Sequence, residues 1–134
     1  ECDGALIIGD RAIAAAINNP ELVRMDLGSE WVDITGLPMV FGVFAARKDS
    51  NGHSISKARQ LMLSNYNIFL EQEDVRNIVI SDASKKVSLS IERVGEYYGN
   101  EVSNLLSSES IKGLRVFLEE VCGVESNPHW FDHI

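Results

Sequence analysis

Gly9-Asp10-Arg11 is where residue types and spacing in this chain could do chemistry. These residues follow the apolar run Gly4 to Ile8 (GALII) and open an alanine-rich stretch, Arg11 to Asn18 (RAIAAAIN). A strand that passes through a glycine into a helix offers free N–H groups to an anion. The glycine also lets a ligand approach the backbone closely. In open α/β sheets, ligands lie beyond the carboxyl ends of strands. Asp10 could cap the helix, position a substrate hydroxyl or move a proton. Arg11 could pair with a carboxylate or stand solvated in the first turn.

A second candidate is the entry Gly36-Leu37-Pro38-Met39, with Phe41 further in. Turn chemistry followed by core is its plainer reading. The aromatics Trp31, Phe41 and Phe44 read as core before they read as a ligand platform. His53 sits beside Asn51-Gly52 in an expected loop. His129 and His133, four apart near Asp132, have helical metal spacing but lie at a chain end, where order comes only from docking. No metal site is expected. Cys2 and Cys122 make neither a disulfide framework nor a metal site, and are expected to be buried or idle thiols.

The elements that must position these residues follow from periodicity. Gly4 to Ile8 and Met39 to Ala46 (MVFGVFAA) are continuous apolar runs, the pattern of strands buried on both faces. Pro38 is tolerated at a strand start. Leu22 to Leu27 reads as a short edge strand, and Ser29 to Thr35 as a helical turn stopped by Gly36. Ile55, Ala58, Met62, Tyr66 and Phe69 fall at steps of three and four, predicting a helix from about Ser54 to Glu71. Glu73 to Ala83 and Val87 to Tyr98 read as two more helices. Val102 to Leu106 reads as a short extended piece. A last helix is capped by Ser108 and ended by Gly123. The order β-α-β-α-β followed by helices predicts an α/β fold. Two strong strands and a weak one make a poor sheet, so the chain must pair with something or belong to a larger fold.

The 134 residues carry a net charge of -8, with 45 % apolar and 24 % charged residues. That is an ordinary globular composition and argues against a sequence-independent nucleic-acid binder, which needs a basic face. It argues equally against an anionic membrane surface. An anionic small molecule remains compatible, because a few oriented N–H groups set a local positive field. No apolar run approaches the ~20 residues of a membrane helix, and a cytoplasmic setting is expected.

IIGDRA (Ile7 to Ala12), DLGSEW (Asp26 to Trp31) and TGLPMVFGVFAARKD (Thr35 to Asp49) resemble the menaquinone biosynthesis family of the futalosine pathway, and within it the chorismate dehydratases. VSNLLSSESIKGLRVFLEEVCGV (Val102 to Val124) is similar to that family's closing segment. The sister enzymes, which make dihydroxynaphthoate, usually carry His-Glu where this chain has Gly9-Asp10, and tend to have Pro-Leu-Gly-Gly where it has Val40-Phe41-Gly42-Val43. The resemblance implies the helix-rich C-terminal portion of a type II periplasmic-binding-protein-like, two-lobe fold. It places 1–26 at the end of a second lobe, 27–38 at a crossover and 39–126 on the return to a first lobe, with 127–134 as a tail. It implies dehydration of chorismate to 3-enolpyruvylbenzoate without a cofactor. Gly9, Asp10, Arg11, Pro38 and Phe41 would bind substrate, with Asp10 the catalytic candidate. The N-terminal half of the same enzyme would be the partner, and a homodimer is compatible. A non-catalytic small-anion-binding domain of the same fold, or a degenerate module, is the alternative.

Overall fold

The computed structural model describes residues 3–23 and 25–124. Helices dominate, and no strand occurs among the described residues. Among the described residues six α-helices follow one another: α1 (Asp10–Asn18), α2 (Leu27–Thr35), α3 (Gly52–Glu71), α4 (Glu73–Val87), α5 (Ile91–Glu96) and α6 (Ser108–Val116). The last two run on into π-helical turns, Tyr97–Glu101 and Phe117–Val121.

The starts of four helices are written in short polar side chains. Asp26, Asn51, Ser90 and Ser107 each accept a hydrogen bond from the N–H three residues on, satisfying one orphan donor of each first turn. Helix ends are equally local. Gly36 closes α2 at φ 68° and donates to the Val32 carbonyl at 2.7 Å. Ser88 closes α4 in the same left-handed region, at φ 56°. Between α3 and α4 stands one non-helical residue, Gln72, and Arg76 donates back to the Leu70 carbonyl at 2.9 Å.

The core lies where α4 meets α5. Ile80 and Val94 are its buried aliphatics, and no described side chain is fully enclosed. An aromatic row ties α3 to this corner. Tyr66 stacks on Phe69, Phe69 meets Tyr98 edge-on at 5.9 Å, and Tyr98 meets Tyr97 at 5.6 Å. Ala58 and Met62, expected on the inner stripe of α3, are exposed, and Leu63 takes the inner place beside Ile55, Tyr66 and Phe69.

The α/β, periplasmic-binding-protein-like expectation is overturned. Residues 4–8 and 39–46 form neither helix nor ladder, and all but the half-buried Met39 and Val40 are exposed: Leu6 is 75 %, Ile8 78 % and Phe44 91 % exposed. A strand exists only through hydrogen bonds to a neighbour about 4.8 Å away. The third expected strand, Leu22 to Leu27, is not one. Pro20 opens a 3₁₀ turn over Pro20–Leu22, and Asp26 is spent on capping α2. The two apolar runs are therefore left without a ladder partner.

Candidate functional site

Gly9 stands at φ 64° and ψ -148° before the first turn of α1. That conformation suits glycine alone. Its carbonyl accepts from the N–H groups of Ala12 at 2.9 Å and Ile13 at 3.2 Å. The cap position therefore belongs to Gly9, and Asp10 is the first helical residue. Asp10 thus stands inside the first turn and not at the N-cap position, where a side chain would close that turn. Freed from the structural role expected of it, Asp10 lies beside the positive end of the helix dipole, where an anion is favoured. Arg11 is exposed and makes no ion pair among the described residues.

Asp10 also lines a notch between α1 and the α4–α5 corner, with Ile13, Val87, Arg93, Tyr97 and Tyr98. Its cavity volume is about 40 Å³, room for a few water molecules and too little for a ring acid. Arg93 is the notch's cation, and it is already engaged. Nη2 donates to Glu101 Oε2 at 2.9 Å, and Nη1 lies 2.7 Å from Oε1 as a charge contact without hydrogen-bond alignment. The hydrogen bond to Glu101 raises the Arg93 pKa above its ordinary value, against a smaller opposing effect of burial, and the charges of Glu101 and Glu96 add to the rise. The pair spans the π-helical turn and holds Tyr97 and Tyr98 against the notch. Sequence reasoning missed Arg93 and both tyrosines. They sit in an anticipated helix with no motif around them.

Pro38 and Phe41 lie elsewhere, against α2 and α6. The Pro38 carbonyl rests on Gly113, so closely that a Cβ there would come nearer than real Cβ atoms ever do, and Leu37 Cβ would lie 3.5 Å from it. Thr35 shapes the approach. Its hydroxyl donates to the Trp31 carbonyl at 2.7 Å and accepts from the Leu37 N–H at 3.1 Å. Trp31 meets Phe117 edge-on at 5.7 Å, with its indole N–H enclosed and unpaired. The ring of Phe41 lies over Gly28, yet Phe41 is largely exposed. The five expected site residues thus fall into two groups: Gly9, Asp10 and Arg11 at the start of α1, and Pro38 and Phe41 on the α2–α6 unit. The clue to the second group was Gly113 inside a helical pattern, a placement that usually has a packing reason.

The remaining sequence candidates carry less. His53 is in the first turn of α3, not a loop, and is exposed. Cys122, expected to be a buried or idle thiol, is free and exposed. Cys2, His129, Asp132 and His133 lie outside the described residues. No cluster of metal-ligating side chains occurs among the described residues, and no helix of theirs is long and apolar enough to cross a membrane.

No solved structure matches the chain. Its sequence matches the family described as menaquinone biosynthesis over residues 1–122, a span that takes in the α1 start, the Gly36-Leu37-Pro38 turn and the Gly113 helix that seats it. The chain belongs to the menaquinone biosynthesis family.

Proposed function

We propose that this chain is part of a cytoplasmic enzyme that dehydrates chorismate to 3-enolpyruvylbenzoate. The observation that carries this reading is Gly9-Asp10 at the entry to α1. The family's sister enzymes usually have His-Glu at these positions, and here an aspartate not used as a cap stands beside free helical N–H groups. Family membership supports the pathway, and the likeness of IIGDRA and TGLPMVF to the dehydratases supports the reaction.

In that reaction the ring loses a hydroxyl and the proton of the neighbouring carbon. They leave together as water, and the ring becomes aromatic. No electron acceptor is consumed. The protein's task is to hold carboxylates and orient the departing hydroxyl. The N–H groups at the α1 start suit one carboxylate. Asp10 suits the hydroxyl, as a hydrogen-bond acceptor that fixes its direction. Arg93 is committed to Glu101 and is not a substrate anchor. The notch is too small for the substrate, and in this reading the remaining groups come from the N-terminal half of the same enzyme.

The test is Asp10→Asn and Asp10→Ala in the intact enzyme, with 3-enolpyruvylbenzoate followed directly. Loss of an orienting group in the transition state should lower kcat/KM at least about tenfold in both variants. Unchanged kcat/KM in either variant removes Asp10 from the mechanism.

A further inference from the structure

Asn51 is the one asparagine of the chain that precedes a glycine, and that pair has a chemistry of its own. The peptide nitrogen after an asparagine can attack the side-chain amide carbon and close a five-membered ring. Glycine hinders this least, because no Cβ shields its nitrogen and its backbone turns freely. Asn51 is exposed, Gly52 is half-buried as the first residue of α3, and His53 and Ser54 beside them are exposed. The Gly52 N–H belongs to the first turn, where the helix itself offers no acceptor. The attacking nitrogen is therefore not tied into the helical ladder.

The fold also holds this pair back. Asn51 has ψ 114°, which keeps the Gly52 nitrogen well away from the plane in which it would meet Cγ. Asn51 Oδ1 accepts from the Ser54 N–H at 3.0 Å, and the Asn51 carbonyl accepts from the Ile55 N–H at 3.1 Å. The ring closes only when these two bonds let go and ψ swings round, that is, when the first turn of α3 frays. Helix ends open at little free-energy cost, and a glycine in the first turn weakens this end further.

We propose that Asn51 is a self-modification site, opened by fraying of α3 and needing no reagent but water. The Gly52 nitrogen bonds to Asn51 Cγ, the Cγ–Nδ2 bond breaks, and Nδ2 leaves as ammonia with the proton of the Gly52 nitrogen. Water then splits one of the two C–N bonds in the succinimide ring. Opening at Cγ leaves aspartate at 51. Opening at the main-chain carbonyl leaves isoaspartate, with the backbone routed through Cβ and Cγ. The two products act on α3 in opposite directions. Aspartate caps as well as asparagine does and puts a negative charge at the positive end of the helix dipole. Isoaspartate lengthens the backbone and withdraws the cap, loosening the start of the helix that carries Tyr66 and Phe69. None of this chemistry depends on the reaction the enzyme catalyses.

The test incubates the native protein in neutral buffer made with heavy-oxygen water. Tryptic digestion in ordinary water then isolates the peptide from Asp49 to Lys57. The expected products carry a hydroxyl in place of the amino group at 51, one heavy oxygen, and isoaspartate in excess over aspartate. Gly52→Ala places a good helix former in the first turn and should slow the reaction at least about tenfold. Ser54→Glu keeps the N–H that Asn51 accepts and adds a favourable charge to the first turn, so it should slow the reaction about two- to fivefold. No product at Asn51, product without isoaspartate, or a Gly52→Ala variant that reacts at the parent rate overturns the site. A Ser54→Glu variant that reacts at the parent rate overturns the control by α3.

Discussion

Substituting Gly113 by alanine pits two effects of similar size against each other. Alanine in a helix interior gains about 1 kcal/mol over glycine in propensity. At Gly113 the new methyl would collide with the Pro38 carbonyl, and Leu37 Cβ lies 3.5 Å away on the same side. That oxygen is backbone, tied into the turn by the Thr35–Leu37 bond, so it cannot rotate aside as a side chain would. The turn must lift off α6, and overpacking of this kind costs typically about 1–3 kcal/mol, occasionally more. Lifting it also loosens the edge-on Trp31–Phe117 contact, and such aromatic pairs contribute about 0.5–1.5 kcal/mol. The clash and the loosened contact together outweigh the propensity gain, leaving a net loss of about 0.5–3.5 kcal/mol. Gly95 is the internal control. It is also helical, but a Cβ there would lie 3.8 Å from Ile80 Cδ1, an ordinary contact. Gly95→Ala should therefore be stabilising, by about 0.5–1 kcal/mol. Urea unfolding followed by far-ultraviolet circular dichroism reads both variants against the parent. If Gly113→Ala is as stable as Gly95→Ala, the turn does not rest on α6.

Other expectations follow from particular residues. Ser88 holds a left-handed conformation at φ 56°, which disfavours side chains with a Cβ by roughly 1–2 kcal/mol. Ser88→Gly should raise the unfolding midpoint, and a lowered midpoint would mean the Ser88 side chain contributes more than its strain. Glu101→Gln removes the charge that Arg93 faces. Because the Arg93 pKa is raised, this group's stabilising contribution is complete below its unfolded value and fades only as pH climbs through the higher folded value, far above neutrality. Loss from Glu101→Gln should thus be modest for a part-exposed pair, about 0.5–1 kcal/mol, and the same at about pH 6.5 and 9. A cost that changed between those two points would show that another group titrates with the pair.

Much of the helical half could be read from residue order. The i, i+3, i+4 spacing in α3 and the polar residue before each start are local signals, and local signals survive whatever the rest of the chain does. The positions of caps slipped by a residue at Gly9 and Ser107, since several neighbouring residues could serve. The break between α4 and α5 was expected at 84–86 and lies at 88–90, because nothing in a serine announces a left-handed turn. The strands failed for a different reason. An unbroken apolar run predicts what a segment needs, namely cover on two faces, and it cannot say whether the chain provides it. At the candidate site, the glycine before Asp10 was legible, since a backbone at φ 64° leaves few choices. Arg93 was not, because its meaning comes from Glu101 eight residues away across a widened helical turn.

The slightness of the core has a consequence for the protein's life in a cell. Ile80 and Val94 are its buried aliphatics among the described residues. A polypeptide this thinly packed visits open forms often, and open forms are what proteases and chaperones act on. Overproducing this chain alone should yield a short half-life, not a proportionate rise in level.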